Sequence, residues 1–495
     1  MTSRLETDGV ATILHPGREG LLAAQLTFAV GAANEPLALR GVTHVIEHLA
    51  MFAARDTPVE INAEVDLETT NFYASGTPDR VVRFLRDVCT ALGELPLDRL
   101  MVEKGVLEAE GRGGPHPIVA TLLAHRYGAQ YAGSVLFAGA GTAALTAEQV
   151  SDFARAWYVS GNALLHLTGP VPDDLDLPLL HGQPPDRTRP VGRLGSGPVM
   201  ITAEDLPASG AGVMLRLPWD DTAHHRGHVI EILRGRIEDE CRHRAGHAYT
   251  IDVEFVTATD GIDAVIYADA REGKETAVAQ AVVKAVNDLA VSGPDARELT
   301  RSVEALQEAW SVDGASILAQ SREAMYRILG LPEAPPIDAT AATTVDPADI
   351  QRWVADALPT AVFYVEPEAV AALEDQVHHV PLCATVDELP VGHVFKPHIL
   401  ARTLFRNARA ARLVRTATGI AAADPDGIHL IDLDSIAGVM LTEDSGAVVI
   451  GRNGCVITLG DDLFRGSHAV LQEILSSVDS ALVFDDPDLH EELHG

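Results

Sequence analysis

The sequence predicts an α+β protein: two homologous mixed α/β halves, each with an antiparallel-rich sheet and packed helices, then a small C-terminal strand meander with a terminal helix. Three observations predict it. A capped amphipathic helix followed by an apolar strand, LTAEQVSDFARAWYVSGNALLHLTG from residue 145, returns about 200 residues on as TVDPADIQRWVADALPTAVFYVEPEA from residue 344. Self-similarity at a long fixed interval marks repeated structural units. A Pro/Gly-rich stretch, HGQPPDRTRPVGRLGSGP at 181–198, lies between the two copies, as a linker would. After Pro381, short apolar runs alternate with DPDG, EDSG and RNG turns before SHAVLQEILSSV, the pattern of a separate small domain. The expected units are 1–185, 191–385 and 396–487.

Each element has its own signal. VATIL and LLAAQLTFAV flank the turn formers HPGREG, which reads as a β-hairpin over 8–31. INAEVDLETTNFYASG at 61–76 alternates as a strand. TPDRVVRFLRDVCTALGEL carries apolar residues at helical spacing, with Thr77 in the N-cap place before Pro78. A second helix runs from about Asp98 to Gly111. In the second unit GAGVMLRLPW is a strand and the run after it a helix. Residues 398–416 read as a helix on which Arg402, Arg406, Arg409, Arg412 and Arg415 form a basic stripe, suited to docking on an acidic surface.

Composition excludes several classes. A net charge of −34 argues against nucleic acid or an anionic membrane as the main partner. No apolar run approaches the ~20 residues that span a bilayer. The opening MTSRLETDGV has neither the basic nor the apolar region of a signal peptide. Cys89, Cys241, Cys383 and Cys455 form no C-x-x-C pair. A reduced, cytoplasmic protein is expected.

The chemistry concentrates at His44-Val-Ile-Glu-His48. Histidines at i and i+4 share a helix face, so both imidazoles can reach one metal ion. Glu47 flanks them where it could hold a metal-bound water; this is the H-x-x-E-H order, the reverse of H-E-x-x-H. The helix ending at Gly111 offers Glu103, Glu108 and Glu110. Glu103 and Glu110 are seven apart and share a face, whereas Glu108 points about 140° away from Glu103. In the second unit His228-Val-Ile-Glu231 repeats the first tetrapeptide, but Ile232 stands where the second histidine would be. With no carboxylate helix in register, His224, His225 and His228 read as the catalytically empty counterpart.

Jointly these stretches resemble the pitrilysin- and insulinase-type metallopeptidases. GAANEPLALRGVTHVIEHLAM carries glycine, glutamate and glycine ahead of His-x-x-Glu-His in the family's order. INAEVDLETTNFY resembles the family's Asn-Ala strand, EKGVLEAE its third-ligand helix, and RHRAGHAY its Arg-x-x-x-Gly-x-Ala-Tyr element. The resemblance covers roughly residues 8–370 and implies a Zn2+ endopeptidase acting on peptide substrates. His44, His48 and Glu110 would be metal ligands, Glu103 an acidic neighbour and Glu47 the general base. Asn62 and Ala63 would lie on a substrate-pairing strand; Arg242 and Tyr249 would face the metal from a second chain. A homodimer is implied, or a heterodimer with a related subunit; the alternative is a non-catalytic or partner-dependent subunit. Two departures stand out: the segment between His48 and Asn62 is short, and Glu64 replaces an aromatic. The C-terminal pattern is similar to a pleckstrin-homology-like fold.

Overall fold

The computed structural model describes residues 3–15, 17, 20–57, 60–110, 114–187, 189–203, 206, 209–219, 223–311, 315–331, 345–398, 411–424, 427–443 and 445–486. Its first six strands are β1 (Ser3–Thr7), β2 (Val10–His15), β3 (Leu22–Phe28), β4 (Glu60–Val65), β5 (Thr70–Gly76) and β6 (Ala163–Thr168). They form one sheet in the order β1-β2-β6-β3-β5-β4. The next six are β7 (Val199–Ile201), β8 (Gly210–Pro218), β9 (Ile251–Thr257), β10 (Gly261–Asp269), β11 (Val362–Tyr364) and β12 (His378–His379). Their order is β12-β7-β11-β8-β10-β9. The inner five strands of the two sheets share one wiring, with β2 parallel to β6 and β7 parallel to β11 and every pair from there inward antiparallel, while the outermost strands differ, β1 antiparallel to β2 and β12 parallel to β7. That common topology is the structural form of the repeated helix–strand unit.

Two local expectations change. β2 and β3 do not pair as a hairpin: β6 lies between them, and β2 instead turns back on β1. Leu164 and Leu165 of β6 are both wholly buried, so the strand takes an interior position in the sheet, which no local turn signal encodes. Residues 61–76 are two strands, closed by a turn in which the Asp66 N–H donates to Thr69 O at 2.8 Å. The apolar alternation runs through that turn, so the sequence reads as one strand.

Helices α1 (Val42–Ala54), α2 (Pro78–Gly93), α3 (Leu100–Glu110), α4 (Pro117–Tyr127), the single turn α5 (Gly141–Ala144) and α6 (Ala147–Trp157) lie in the first half of the chain. Val81, Phe84, Leu85, Val88 and Leu92 line one face of α2 and are buried against Leu26, Phe72 and Val45. Each such side chain contributes about 1.5–3 kcal/mol. Thr77 occupies the N-cap of α2 but makes no side-chain cap; Pro78 at N1 sets the entry. Thr146 and Gln149 do form a reciprocal capping box on α6. The second sheet carries α7 (Ala223–Glu238), α8 (Glu275–Ser292), α9 (Ala296–Ser311) and α11 (Pro347–Ala357), whereas α10 (Ala315–Ile328) crosses to the first sheet, where Ala324 and Ile328 share a core with Ile13 and Leu164.

Helix α4 belongs to the first half by sequence, yet it packs on the second sheet. Ile118, Val119 and Leu122 share a core with Met214, Val265 and Tyr364. At its end Arg126 and Asp263 are both wholly buried. Asp263 accepts from Arg216 at 2.9 and 3.1 Å and from the Tyr127 hydroxyl at 2.5 Å. Arg126 donates to the carbonyls of Arg193 and Thr360, each at 2.7 Å.

The C-terminal strands are β13 (His393–Phe395), β14 (Arg412–Arg415), β15 (Gly419–Asp424), β16 (Gly427–Asp432), β17 (Ile436–Leu441), β18 (Ala447–Gly451), β19 (Val456–Leu459) and β20 (Val483–Asp485), with helix α12 (His468–Ser477) before the last. They make two four-stranded sheets, ordered β13-β14-β15-β16 and β19-β18-β17-β20. Leu413, Ile420, Val439, Val449, Leu471 and Ile474 form the core between them. The first sheet draws in β13, upstream of residue 396. The expected helix over 398–416 does not extend to its end: Arg412 and Arg415 lie on strand β14, with Leu413 and Val414 between them wholly buried. Burial on both sides of the backbone favours a strand over an arginine stripe at helical period; Arg402, Arg406 and Arg409 lie outside the described residues. This unit sits against the first half, where Leu37, Ala129 and Ala140 pack with Ile450 and Phe484. No helix among the described residues is long and apolar enough to cross a membrane.

Candidate metal centre

The approach to α1 is fixed before its histidines appear. Gly41 sits at φ +88°, in the left-handed region, and a Cβ there would come within 2.5 Å of Thr142 Cγ2, so only glycine fits. The buried Glu35 carboxylate accepts from the backbone of Gly41 at 2.8 Å, from that of Thr43 at 2.9 Å, and from the Thr43 hydroxyl at 2.5 Å. It satisfies donors that the first helical turn leaves open. Arg40 stands 3.7 Å away as its counter-charge. Burial nevertheless raises the Glu35 pKa above the ordinary carboxylate value.

Val42, Val45, Ile46, Leu49 and Ala50 bury the apolar face of α1. That packing turns His44, Glu47 and His48 together toward α3. The two imidazoles lie 4.9 Å apart, nearly perpendicular at 82°. Glu47 Oε2 is 3.6 Å from His44 Nε2 and 3.9 Å from His48 Nε2. From α3, Glu110 Oε2 reaches within 4.0 Å of His44 Nε2 and 3.5 Å of His48 Nε2. Glu103 Oε2 lies 3.5 Å from the other nitrogen of His48, Nδ1, while its Oε1 accepts from Arg99 at 3.0 Å. Glu108 is exposed. Helix α3 is held in register by Lys104, whose Nζ donates to the carbonyls of Ala143 at 2.9 Å and Leu145 at 2.5 Å.

The electrostatics suit a cation. Burial, then the Glu110 carboxylate, pushes the Glu47 carboxyl up to about 7. Burial, then the neighbouring His48, lowers the His44 pKa, keeping the imidazole in its neutral, ligating form. Bonds of about 2.0–2.2 Å at tetrahedral angles place nitrogen and oxygen donors about 3.4 Å apart. The 3.5 and 4.0 Å separations of Glu110 Oε2 from the two Nε2 atoms need little adjustment, so the donor set fits zinc.

The remaining sequence candidates fall elsewhere. Asn62 is exposed and Ala63 half-buried on β4, the edge of the first sheet, whose only partner among the described residues is β5. The Glu64 carboxylate accepts from the Tyr73 hydroxyl. Arg242 lies in a π-helical turn, Asp239–Arg244, that extends α7. Its guanidinium stands 5.6 Å above the Tyr249 ring, and Tyr249 is 76% exposed. Among the described residues no contact joins this pair to His44, Glu47 or His48. His228 is wholly buried with Nδ1 3.0 Å from Ser302 Oγ, and Ile232 is part of the second core. The side chains of His224 and His225 lie outside the described ones.

Glu68 plays a part that the sequence reading did not assign. It lies in the turn between β4 and β5, and its Oε2 accepts from the Thr257 N–H at 2.9 Å at the end of β9. The Tyr131 and Thr257 hydroxyls also donate to its carboxylate, and Arg189 approaches to 3.5 Å. The edge hairpin of the first sheet is thereby tied to the second. Its place within INAEVDLETTNFY, the stretch that resembles the family's Asn-Ala strand, was the available signal.

Neither a protein-family model nor a curated protein matches the sequence. Solved structures do. The peptidase M16 inactive domain from Pseudomonas fluorescens is similar with a TM-score of 0.59 at 16% identity, over 74% of this chain and 97% of that one. A protease from Helicobacter pylori gives 0.58 at 13% identity, over 74% and 99%. Pitrilysin gives 0.53 at 16% identity, over 74% of this chain and 44% of its own. Three-quarters of the chain, with its pair of similarly wired sheets, has the fold of the M16 pitrilysin- and insulinase-type peptidases.

Proposed function

We propose that the protein is a zinc-dependent endopeptidase that hydrolyses unstructured peptides within a closed dimeric chamber. The observation that carries this reading is the convergence of His44, His48 and Glu110 on one point with a desolvated Glu47 beside it. Three protein donors hold zinc and leave a place for substrate or water. Zinc so held supplies Lewis-acid polarisation of a carbonyl and lowers the pKa of water. Glu47, near neutrality by burial, takes a proton from the attacking water at Oε2 and returns it to the leaving amine. Glu103 fixes the ring of His48 through Nδ1, as carboxylates commonly do for ligating histidines. The unpaired edge of β4 at Asn62–Ala63 accepts an extended peptide by strand addition.

Arg242 and Tyr249 act from the partner chain. Their exposure, and their lack of contact with their own chain's His44 cluster, support this assignment. The organisation is a catalytic half, a second metal-free half and a C-terminal accessory unit of pleckstrin-homology-like character that begins near residue 383. The setting is cytoplasmic.

The test is direct. Glu47→Gln should retain zinc and lose cleavage of a peptide pool, by about 10²–10⁴-fold. Mixing it with Tyr249→Phe chains, with subunit exchange demonstrated, should restore part of the activity through one intact site per mixed dimer. Normal cleavage by Glu47→Gln would remove the base assignment, and no recovery on mixing would remove the composite site.

A further inference from the structure

Two clusters among the described residues could hold a metal ion, and the second lies in the C-terminal unit. Cys383 belongs to the segment leaving β12, His429 to β16, and Cys455 to the turn before β19. Cys383 Sγ is 3.0 Å from His429 Nδ1 and 3.1 Å from Cys455 Sγ. Cys455 is wholly buried and His429 nearly so. The other nitrogen of His429, Nε2, is 3.2 Å from the Asp424 carboxylate. Two soft sulfur donors and an imidazole oriented by a carboxylate form the donor set of a zinc site.

We infer that Cys383, Cys455 and His429 Nδ1 bind a second zinc ion, with Asp424 fixing the His429 ring. Tetrahedral bonds of about 2.3 Å to sulfur and 2.0–2.1 Å to nitrogen place the sulfurs about 3.8 Å apart and each about 3.6 Å from the nitrogen. The two Cys383 separations therefore need to open by about 0.6–0.7 Å. Both thiols release their protons on binding, and the fourth place falls to water. Arg193 lies close enough for its charge to act on both sulfurs, and it also donates to Leu382 O at 3.2 Å. The same carbonyl is 2.9 Å from His125 Nδ1 on α4. Metal here would clip the 380–385 segment to the C-terminal sheets just where that segment leaves α4. The site serves attachment of the C-terminal unit and takes no part in the chemistry at His44.

Metal content of the full chain tests this. Wild type should bind two zinc equivalents per chain and His48→Ala one. His48→Ala combined with Cys383→Ser and Cys455→Ser should bind none. Cobalt added to His48→Ala should give an intense thiolate-to-metal charge-transfer band in the near ultraviolet. Cobalt added to the Cys383→Ser/Cys455→Ser chain, which keeps the His44 site, should give only weak ligand-field bands; this also shows that the variant is folded. His48→Ala that binds no zinc while both thiols react freely would overturn the site. So would a native chain lighter by two hydrogens from a Cys383–Cys455 disulfide.

Discussion

Glu47 should carry a stability cost that replacement by glutamine removes. Its side chain is 7% exposed, and burial followed by Glu110 holds its carboxyl at about 7 against an ordinary 4.5. Below about pH 4.5 the group is protonated in both the folded and the unfolded chain and contributes nothing. Between about 4.5 and 7 the unfolded chain has lost the proton and the folded chain keeps it, so stability falls as pH rises. Above about 7 the penalty levels off at about 3 kcal/mol. Metal-free Glu47→Gln should therefore unfold like metal-free wild type at pH 4.5 and be more stable by about 3 kcal/mol at pH 8. For a unit of about 200 residues that is about 6–12 °C in the first-half transition. Thermal scans in chelator across this pH range measure it, and taking the difference between the two proteins cancels other titrations such as that of His44. Added zinc should abolish the difference, because a cation beside the carboxylate favours its ionised form. Parallel wild-type and Glu47→Gln melting curves from pH 4.5 to 8 would refute the desolvation argument.

Further outcomes are expected. Glu110→Gln should lose zinc from the His44 site while Glu108→Gln retains it, as metal analysis in a Cys383→Ser/Cys455→Ser background would read; Glu103→Gln should weaken zinc there about 10–100-fold. Leu37→Ala should destabilise the junction with the C-terminal unit by about 2–5 kcal/mol, since Leu37 packs with Ile450 and Phe484. Urea unfolding checks this, and a change below about 1 kcal/mol would mean that the junction is not a packed core.

What the sequence disclosed about the site was what helix periodicity encodes. His44 and His48 four apart, and Glu103 and Glu110 seven apart, face one another because each pair lies on one side of one helix. The doubled architecture was readable from the Thr146 and Asp346 capped helices and the strands that follow them. Partner choice between distant segments was not. β6 inserts between β2 and β3 from far along the chain, and the Asp66–Thr69 turn is hidden in continuous alternation. Arginines spaced like a helical stripe end on strand β14 because Leu413 and Val414 are buried on opposite sides. Cys383 and Cys455 gave no sign of being neighbours, since their approach depends on how two sheets stack. Glu68 read as one residue of a continuous strand until the rest of the chain supplied Thr257 and Arg189.

The knot at Asp263 bears on how a substrate could enter. Lifting α4 from the second sheet would strip Asp263 of Arg126 and the Tyr127 hydroxyl, leaving it Arg216 on the neighbouring strand β8, within a core that excludes water. Breaking a buried ion pair of this kind costs about 3–5 kcal/mol, and the α4 packing and the Glu68 tie add to that. Helix α4, part of the first half by sequence, is therefore held to the second sheet, and the Glu68 carboxylate ties the first sheet's edge hairpin to Thr257 and Arg189. If a peptide is to pass between the two sheets, the Glu68 tie and the α4 packing stand in its way and must give first.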